Sequence, residues 1–263
     1  LPRSVAALWL LLVLAAAVLA DLTPLPPPGQ MQLELRNALP SAAHPLGTDA
    51  FGRDLLSRIV HGARVSVLVG LIAPAIGLCL GGTAGLLAGY RRGRSERIVL
   101  ALGDVLLALP ALVIAILFTA WLGGSLGTVV LTLGLLSSPA FMRVARTRAL
   151  SVSRHTFVEA ARACGARTLP IVWRHVLPNV LPSLRTLFLL VAAMVIVLEG
   201  ALAFLGLGVG APAASWGGMI AEGRAQLETR PHVSLFPALC LVATVLALNL
   251  LGDGALDAGG RSR

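Results

Sequence analysis

Long apolar runs separated by arginine-bearing segments dominate the chain, and their lengths predict helices that cross a membrane. A spanning helix needs about 20 largely apolar residues. Residues 4–20 carry no charge, and 26 uncharged residues separate Arg64 from Arg91. Between Arg97 and Arg143 lie 45 residues with Asp104 as the only charge, too many for one crossing. The cluster Gly123-Gly124-Ser125-Leu126-Gly127 marks the turn between two. Residues 186–205, interrupted only by Glu199, and residues 233–251 complete the set. The pattern predicts an all-α polytopic membrane protein with six transmembrane helices, near 5–20, 65–90, 98–120, 126–146, 184–205 and 233–251.

The first run ends in small residues, Ala16 to Ala20, which would also suit cleavage of a secretory signal peptide. A retained helix is favoured, because an even number of crossings keeps both ends on one side. The division is then a first transmembrane helix at 1–20, an extracytoplasmic segment at 21–64 and a five-helix core at 65–251. Within the core fall a cytoplasmic loop at 147–183 and an extracytoplasmic loop at 206–232, followed by a cytoplasmic tail at 252–263.

Charge orients these spans. With the N-terminus inside, the inner segments hold fifteen arginines, and the outer ones hold six, matched by six acids. Basic bias over short loops lies on the cytoplasmic side, so both termini are expected there. Only 13% of residues are charged, against about 25% in soluble domains. A basic nucleic-acid binder is excluded on that ground, since too little polar surface remains once the runs are buried. The arginines of the inner loops can instead meet anionic lipid headgroups.

Residues 143–185 hold eight arginines and a single acid, Glu159. Thr156 stands three residues before Glu159, the spacing of a capping box with Glu159 at N3. Phe157, Ala160, Ala161 and Cys164 follow at helical spacing as an apolar stripe, and Gly165 can supply the left-handed residue that ends the helix. Pro170 is expected to prevent smooth continuation toward Trp173 and His175. A helix of about eight residues is too short to persist alone in water, so something must hold it. Docking on a partner and adhesion to the membrane surface are the two readings.

Other features are weaker. Cys79, Cys164 and Cys240 are dispersed among small or apolar residues and read as packing. The five histidines show no metal-ligand spacing. Gly77, Gly81, Gly85 and Gly89 form a smooth stripe that would either pack within the chain or form a seam against a second membrane subunit. Asp104 is expected near the inner interface. Glu199, toward the outer half of the fifth span, is either a structural hydrogen-bonding group or part of a gate or translocation path.

The basic loop carries a further signal. Glu159-Ala160-Ala161, then Gly165, then His175-Val176-Leu177-Pro178-Asn179 resembles the signature loop of binding-protein-dependent ABC importer permeases. The likeness covers nearly the whole chain. His44-Pro45-Leu46-Gly47-Thr48-Asp49 with Gly52-Arg53-Asp54 resembles the outer segment of the dipeptide/oligopeptide/nickel permease family. So do Phe204-Leu205-Gly206-Leu207-Gly208, Ser215-Trp216-Gly217 and Asn249-Leu250-Leu251-Gly252-Asp253. Five blocks in order point to the second, C-type permease subunit.

This resemblance implies a heterodimer with a homologous permease subunit, two cytoplasmic ABC ATPase subunits carrying ATP and Mg2+, and an extracytoplasmic solute-binding protein. It implies no cofactor on this chain. Thr156, Phe157, Glu159, Ala160, Ala161 and Gly165 would form a short cytoplasmic coupling helix, with Pro178 and Asn179 shaping the return to the fifth span. Asp49, Arg53, Asp54 and Trp216 are candidates for docking the binding protein, and Glu199 for the gate or path. The bacterial cytoplasmic (inner) membrane is the expected location, and short peptides are the expected cargo. Nickel or another small solute is the alternative, and an ion-coupled secondary transporter is the rival from another class. A phosphate-binding loop needs a lysine, and the chain has none, so it is not itself an ATPase.

Overall fold

In this computed structural model, residues 2–210 and 213–260 are described, apart from the side chains of residues 95 and 254–260. Helix α1 (Arg3–Leu19) lies against α2 (Leu55–Gly77) and α11 (His232–Gly260). Trp9 Nε1 donates to Thr244 Oγ1 at 3.0 Å, and Arg64 Nε donates to the Ala17 carbonyl at 3.0 Å, pinning the middle and the C-terminal end of α1. Helix α2 begins well before the apolar run, because Asp54 caps it by accepting from Ser57 N at 2.7 Å.

A π-helical turn (Leu78–Gly82) joins α2 to α3 (Thr83–Arg91), so the two form one span packed on α6 (Leu126–Val152). The glycine stripe lies in that seam. A Cβ on Gly81 would sit 1.9 Å from the Ser138 carbonyl oxygen, and one on Gly85 2.1 Å from that of Met142. The stripe is therefore an intramolecular contact with α6 and not a seam against a second subunit. Spacing by four residues drifts about 40° per step on an α-helix. A π-bulge is a single-turn widening of the helix, and this one resets the drift so that all four glycines face α6.

The 45-residue run does not make two straight crossings. Helices α4 (Arg94–Ala108) and α5 (Ala111–Leu122) meet at an 83° bend. Pro110 disfavours helical geometry at the residue before it, and Leu109 is extended (φ −105°, ψ 145°). The expected turn follows at Gly123, and Ser125 caps α6 by accepting from Thr128 N at 3.1 Å. Among the described residues five stretches are long and apolar enough to cross a membrane, and six if the bent pair counts as one.

Helix α7 (Thr156–Ala163) is followed by α8 (Thr168–Ile171), a second π-helical turn (Val172–Val176) and α9 (Leu177–Phe204). Residues Thr168–Phe204 run as one span. Pro170 thus does not stop a helix. It occupies the first turn, where its missing N–H has no partner to lose. Helix α10 (Trp216–Gly223) lies between α9 and α11. Helix α11 continues beyond residue 251 into what was expected to be a tail, whose Arg261 and Arg263 lie outside the described residues.

The main core gathers side chains of α2, α3, α6, α8 and α9, with Leu86, Leu133, Phe141 and Leu202 almost fully enclosed. Two buried hydroxyls turn back to their own helices: Ser137 donates to the Gly134 carbonyl at 2.8 Å and Thr119 to that of Ala115 at 2.7 Å. Apolar surroundings require that internal satisfaction.

Candidate functional site

The chain has a basic end, where α3 and α6 finish and α9 begins, and an opposite end. At the basic end α7 is anchored in the main core by Val158, which is fully buried, with Ala161 partly buried beside it. That anchor sets the register. His155, extended at φ −75° and ψ 146°, is the N-cap without a side-chain cap bond. Thr156 is already helical, so the expected capping box does not form. Glu159 stays in the first turn, where the helix N-terminus favours a carboxylate.

The stop is as the glycine requires. Gly165 has φ +77°; its N–H donates to the Arg162 carbonyl at 2.9 Å, and Ala166 N–H to that of Ala161 at 3.1 Å. This pair of bonds is the Schellman arrangement. No atom lies within 4 Å of where a Cβ would be, so backbone conformation alone demands the glycine.

Beyond its anchor the helix faces outward. Phe157, Glu159, Ala160 and Cys164 are exposed. The Phe157 ring stacks on His155 with centroids 5.6 Å apart and leans on His175 at 6.5 Å, which fixes an exposed aromatic group. Arg162 stretches over the Tyr90 ring, 4.8 Å from its centroid, with Nε 3.1 Å from the phenolic oxygen. A cavity of about 680 Å³ opens beside them, lined by Tyr90, Arg91, Arg92, Arg154, Glu159 and Arg162 among others. Pro178 and Asn179 lie within the long helix: Asn179 Nδ2 donates to the His175 carbonyl at 2.7 Å, just after the π-helical turn. Val158, Tyr90 and Arg162 were not singled out from the sequence. Only the apolar Val158 beside Phe157 offered a signal.

At the opposite end the outer-segment residues do come together, but as a buried lattice. Asp49 accepts from Phe51 N (2.8 Å), Arg53 N (3.0 Å) and Arg53 Nε (2.6 Å). Arg53 and Arg58 both donate to Glu222 Oε2 of α10, at 2.6 and 2.9 Å. His44 Nδ1 lies 2.8 Å from Asp54 Oδ2. The two glycines of the motif have positive φ, and a Cβ on Gly52 would collide with the Gln32 carbonyl. Trp216 is 1% exposed and its Nε1 donates to the Ile59 carbonyl at 3.0 Å. Asp49, Arg53, Asp54 and Trp216 therefore present no surface for docking in this chain, contrary to expectation; burial and these bonds make them the frame of the outer segment. Arg58 and Glu222, which complete it, carry no motif of their own.

Glu199 is enclosed completely, with Ser215 as the polar side chain beside its carboxylate. Next to it α9 and α10 touch backbone to backbone: a Cβ on Gly217 would lie 2.4 Å from Gly200 Cα. Ser215 caps α10 there by accepting from Gly218 N at 3.1 Å. Asp104, expected near the inner interface, pairs with Arg143 Nη2 of α6 at 2.7 Å. Among the described residues no three His, Cys, Asp or Glu side chains group as metal ligands would.

Residues 81–261 match the family described as binding-protein-dependent transport system inner membrane component. A glutathione transport system permease protein, GsiD, of Pectobacterium atrosepticum is 40% identical over 254 residues, covering 96% of this chain and 84% of that protein. The GsiD protein of Escherichia coli is 39% identical over the same span. In fold, the chain is similar to one of the MetNI methionine ABC transporter in inward-facing form, with a TM-score of 0.62 at 21% identity. That likeness covers 78% of this chain and 97% of the other.

Proposed function

This chain belongs to the family of binding-protein-dependent transport system inner membrane components, and on that premise we propose that α7 couples ATP hydrolysis on partner subunits to movement of its spans. It is a multi-pass permease subunit of the inner membrane, and not the ATPase. The observation that carries the coupling reading is the build of α7. Eight residues anchored by Val158 and stopped by Gly165 leave Phe157, Glu159 and Ala160 facing outward. Such a helix transmits a push, because it is stiff, short and tied to the core through one face.

The full assembly in this reading holds a homologous permease subunit, two ATPase subunits with ATP and Mg2+, and an extracytoplasmic binding protein, with lipid around the apolar exterior. Both termini and α7 lie on the cytoplasmic side. ATP binding moves α7, and through Val158 and Arg162 the span ends around it; hydrolysis resets them. Coupling of this kind needs contacts that differ between states, not proximity of the sites. The frame formed by Asp49, Arg53, Asp54, Arg58, Glu222 and Trp216 shapes the outer loops that meet the binding protein. Glu199 belongs to the outer gate, where sliding of α10 past α9 would uncover its carboxylate.

Short peptides are the cargo we favour, since the GsiD relatives are glutathione permeases and glutathione is a small peptide. Nickel is the second choice, disfavoured because no cluster of metal-ligand side chains forms among the described residues. Uptake by a strain lacking the complex, with di-, tri- and longer peptides competing against Ni2+, tests this. Loss confined to peptides is expected, whereas loss confined to nickel would reverse the cargo and leave the permease role intact.

A further inference from the structure

An ion pair sits open toward the inner end of the spans. Arg143 and Asp104 are joined at 2.7 Å, yet their side chains are 55% and 62% exposed. Arg143 lies nine residues before the end of α6, about 14 Å along its axis, and Asp104 stands six residues before Pro110, about 9 Å from the bend. Charged side chains there face water or protein more readily than lipid tails. Beside Arg143 runs a groove of about 360 Å³ between α6 and α9, lined by Thr147, Arg148, Ser183 and Thr186 among others. The Thr147 hydroxyl donates its hydrogen to the Arg143 carbonyl at 2.9 Å, so the guanidinium groups are left as the donors to an anion.

We infer that this groove is a station on the cargo path where the Arg143 guanidinium receives a carboxylate of the solute. Two guanidinium groups, Arg143 and Arg148, stand at a groove otherwise lined largely by Val144, Leu187 and Leu190, and they favour an anion; the Thr147 and Thr186 hydroxyls already donate to the Arg143 and Pro182 carbonyls. A guanidinium takes a carboxylate through two parallel hydrogen bonds. In the empty chain Asp104 occupies part of that fork. An incoming carboxylate replaces it, and Asp104 recovers Arg143 when the solute leaves, so the bond is exchanged at little net change in charge pairing. The inference rests on the peptide reading above, because every unmodified peptide carries such a carboxylate.

The test uses the complete importer in proteoliposomes, with Cys79, Cys164 and Cys240 replaced. Single cysteines are then introduced as Thr147→Cys, Ser183→Cys and, for a lipid-facing comparison on α1, Leu11→Cys. A charged, membrane-impermeant thiol reagent is applied from the side of the basic end. Fast labelling at positions 147 and 183 and slow labelling at 11 are expected. A short peptide with a free C-terminal carboxylate should slow labelling at 147 and 183 severalfold, and the same peptide amidated should not. Arg143→Gln should abolish that protection, and Asp104→Asn should keep or increase it. Slow labelling at 147 and 183 overturns the proposal, as does equal protection by acid and amide, or protection surviving Arg143→Gln. ATP-driven uptake in the same vesicles is read separately: if uptake is normal without protection, the site falls and the permease reading stands. If uptake fails, the labelling still decides the site.

Discussion

Arg162 of α7 lies over Tyr90 at the end of α3, its Nε 3.1 Å from the phenolic oxygen. One side chain thus joins the exposed helix to the span whose glycine seam locks it to α6. On the coupling reading proposed above, a displacement of α7 would pass to α3 and from there to α6.

That link gives the first prediction. Tyr90→Ala removes both the ring and the hydroxyl, whereas Tyr90→Phe keeps the ring. Cation–π contacts at exposed sites contribute about 0.5–1 kcal/mol, so neither change should unfold the protein. Basal ATPase activity of the complex should persist in both, and its stimulation by loaded binding protein should fall in Tyr90→Ala more than in Tyr90→Phe. Equal stimulation in both would show that Arg162 transmits nothing.

Gly165→Val forces a β-branched residue into positive φ, which is strongly disfavoured. The spans should fold and insert normally, because space around the position is open. Crosslinking from the exposed Ala160→Cys to the ATPase subunit should drop sharply. Unaltered crosslinking together with unaltered uptake would mean that the angle of α7 is irrelevant.

The glycine seam predicts a different failure. In Gly85→Leu the side chain would meet the Met142 backbone, which cannot rotate away. Overpacking typically costs about 1–3 kcal/mol, and a backbone obstacle belongs at or beyond the upper end. The amount of intact subunit recovered in detergent should fall, where Leu131→Ala on the exposed face of α6 has little effect. Full recovery of Gly85→Leu would place the stripe at some other surface.

At the outer end, Asp49→Asn should destabilise the protein, since it removes the charge facing buried Arg53 and Arg58. Breaking a buried pair commonly costs about 3–5 kcal/mol; the half-exposed Glu222, which still holds both arginines, should reduce that. A lowered melting temperature with unchanged ATPase association is the expected pattern. No change in melting temperature would show that the lattice does not frame the segment.

The apolar spans were legible because run length translates directly into crossing length, and Gly123 to Gly127 announced their turn. Two prolines carried information that position in the run obscured. Pro110, inside a long apolar stretch, signals the break between α4 and α5, but composition alone makes the stretch read as a plain crossing. Pro170 is a helix breaker only in an interior; whether it stands in a first turn depends on where Arg167 leaves the preceding loop. Likewise Thr156 and Glu159 had capping-box spacing, yet burial of Val158 set the register one residue away. Long-range pairs such as Arg58 with Glu222, or Asp104 with Arg143, have no local signature at all. Local motifs placed α7 and its glycine stop, and tertiary packing decided which of its faces was free.

The coupling role is tested most directly by Glu159→Lys in the purified, reconstituted importer, measuring ATP-driven peptide uptake and ATPase co-purification together. Charge reversal in the first turn forfeits about 0.3–1 kcal/mol of helix-terminus interaction and adds a fifth positive side chain to the arginine-lined cavity. The account predicts folded spans, weakened ATPase association or lost stimulation, and uptake reduced far more than by Arg154→Gln. Normal uptake and normal co-purification in Glu159→Lys, or uptake sustained by an ion gradient without ATP, would contradict it.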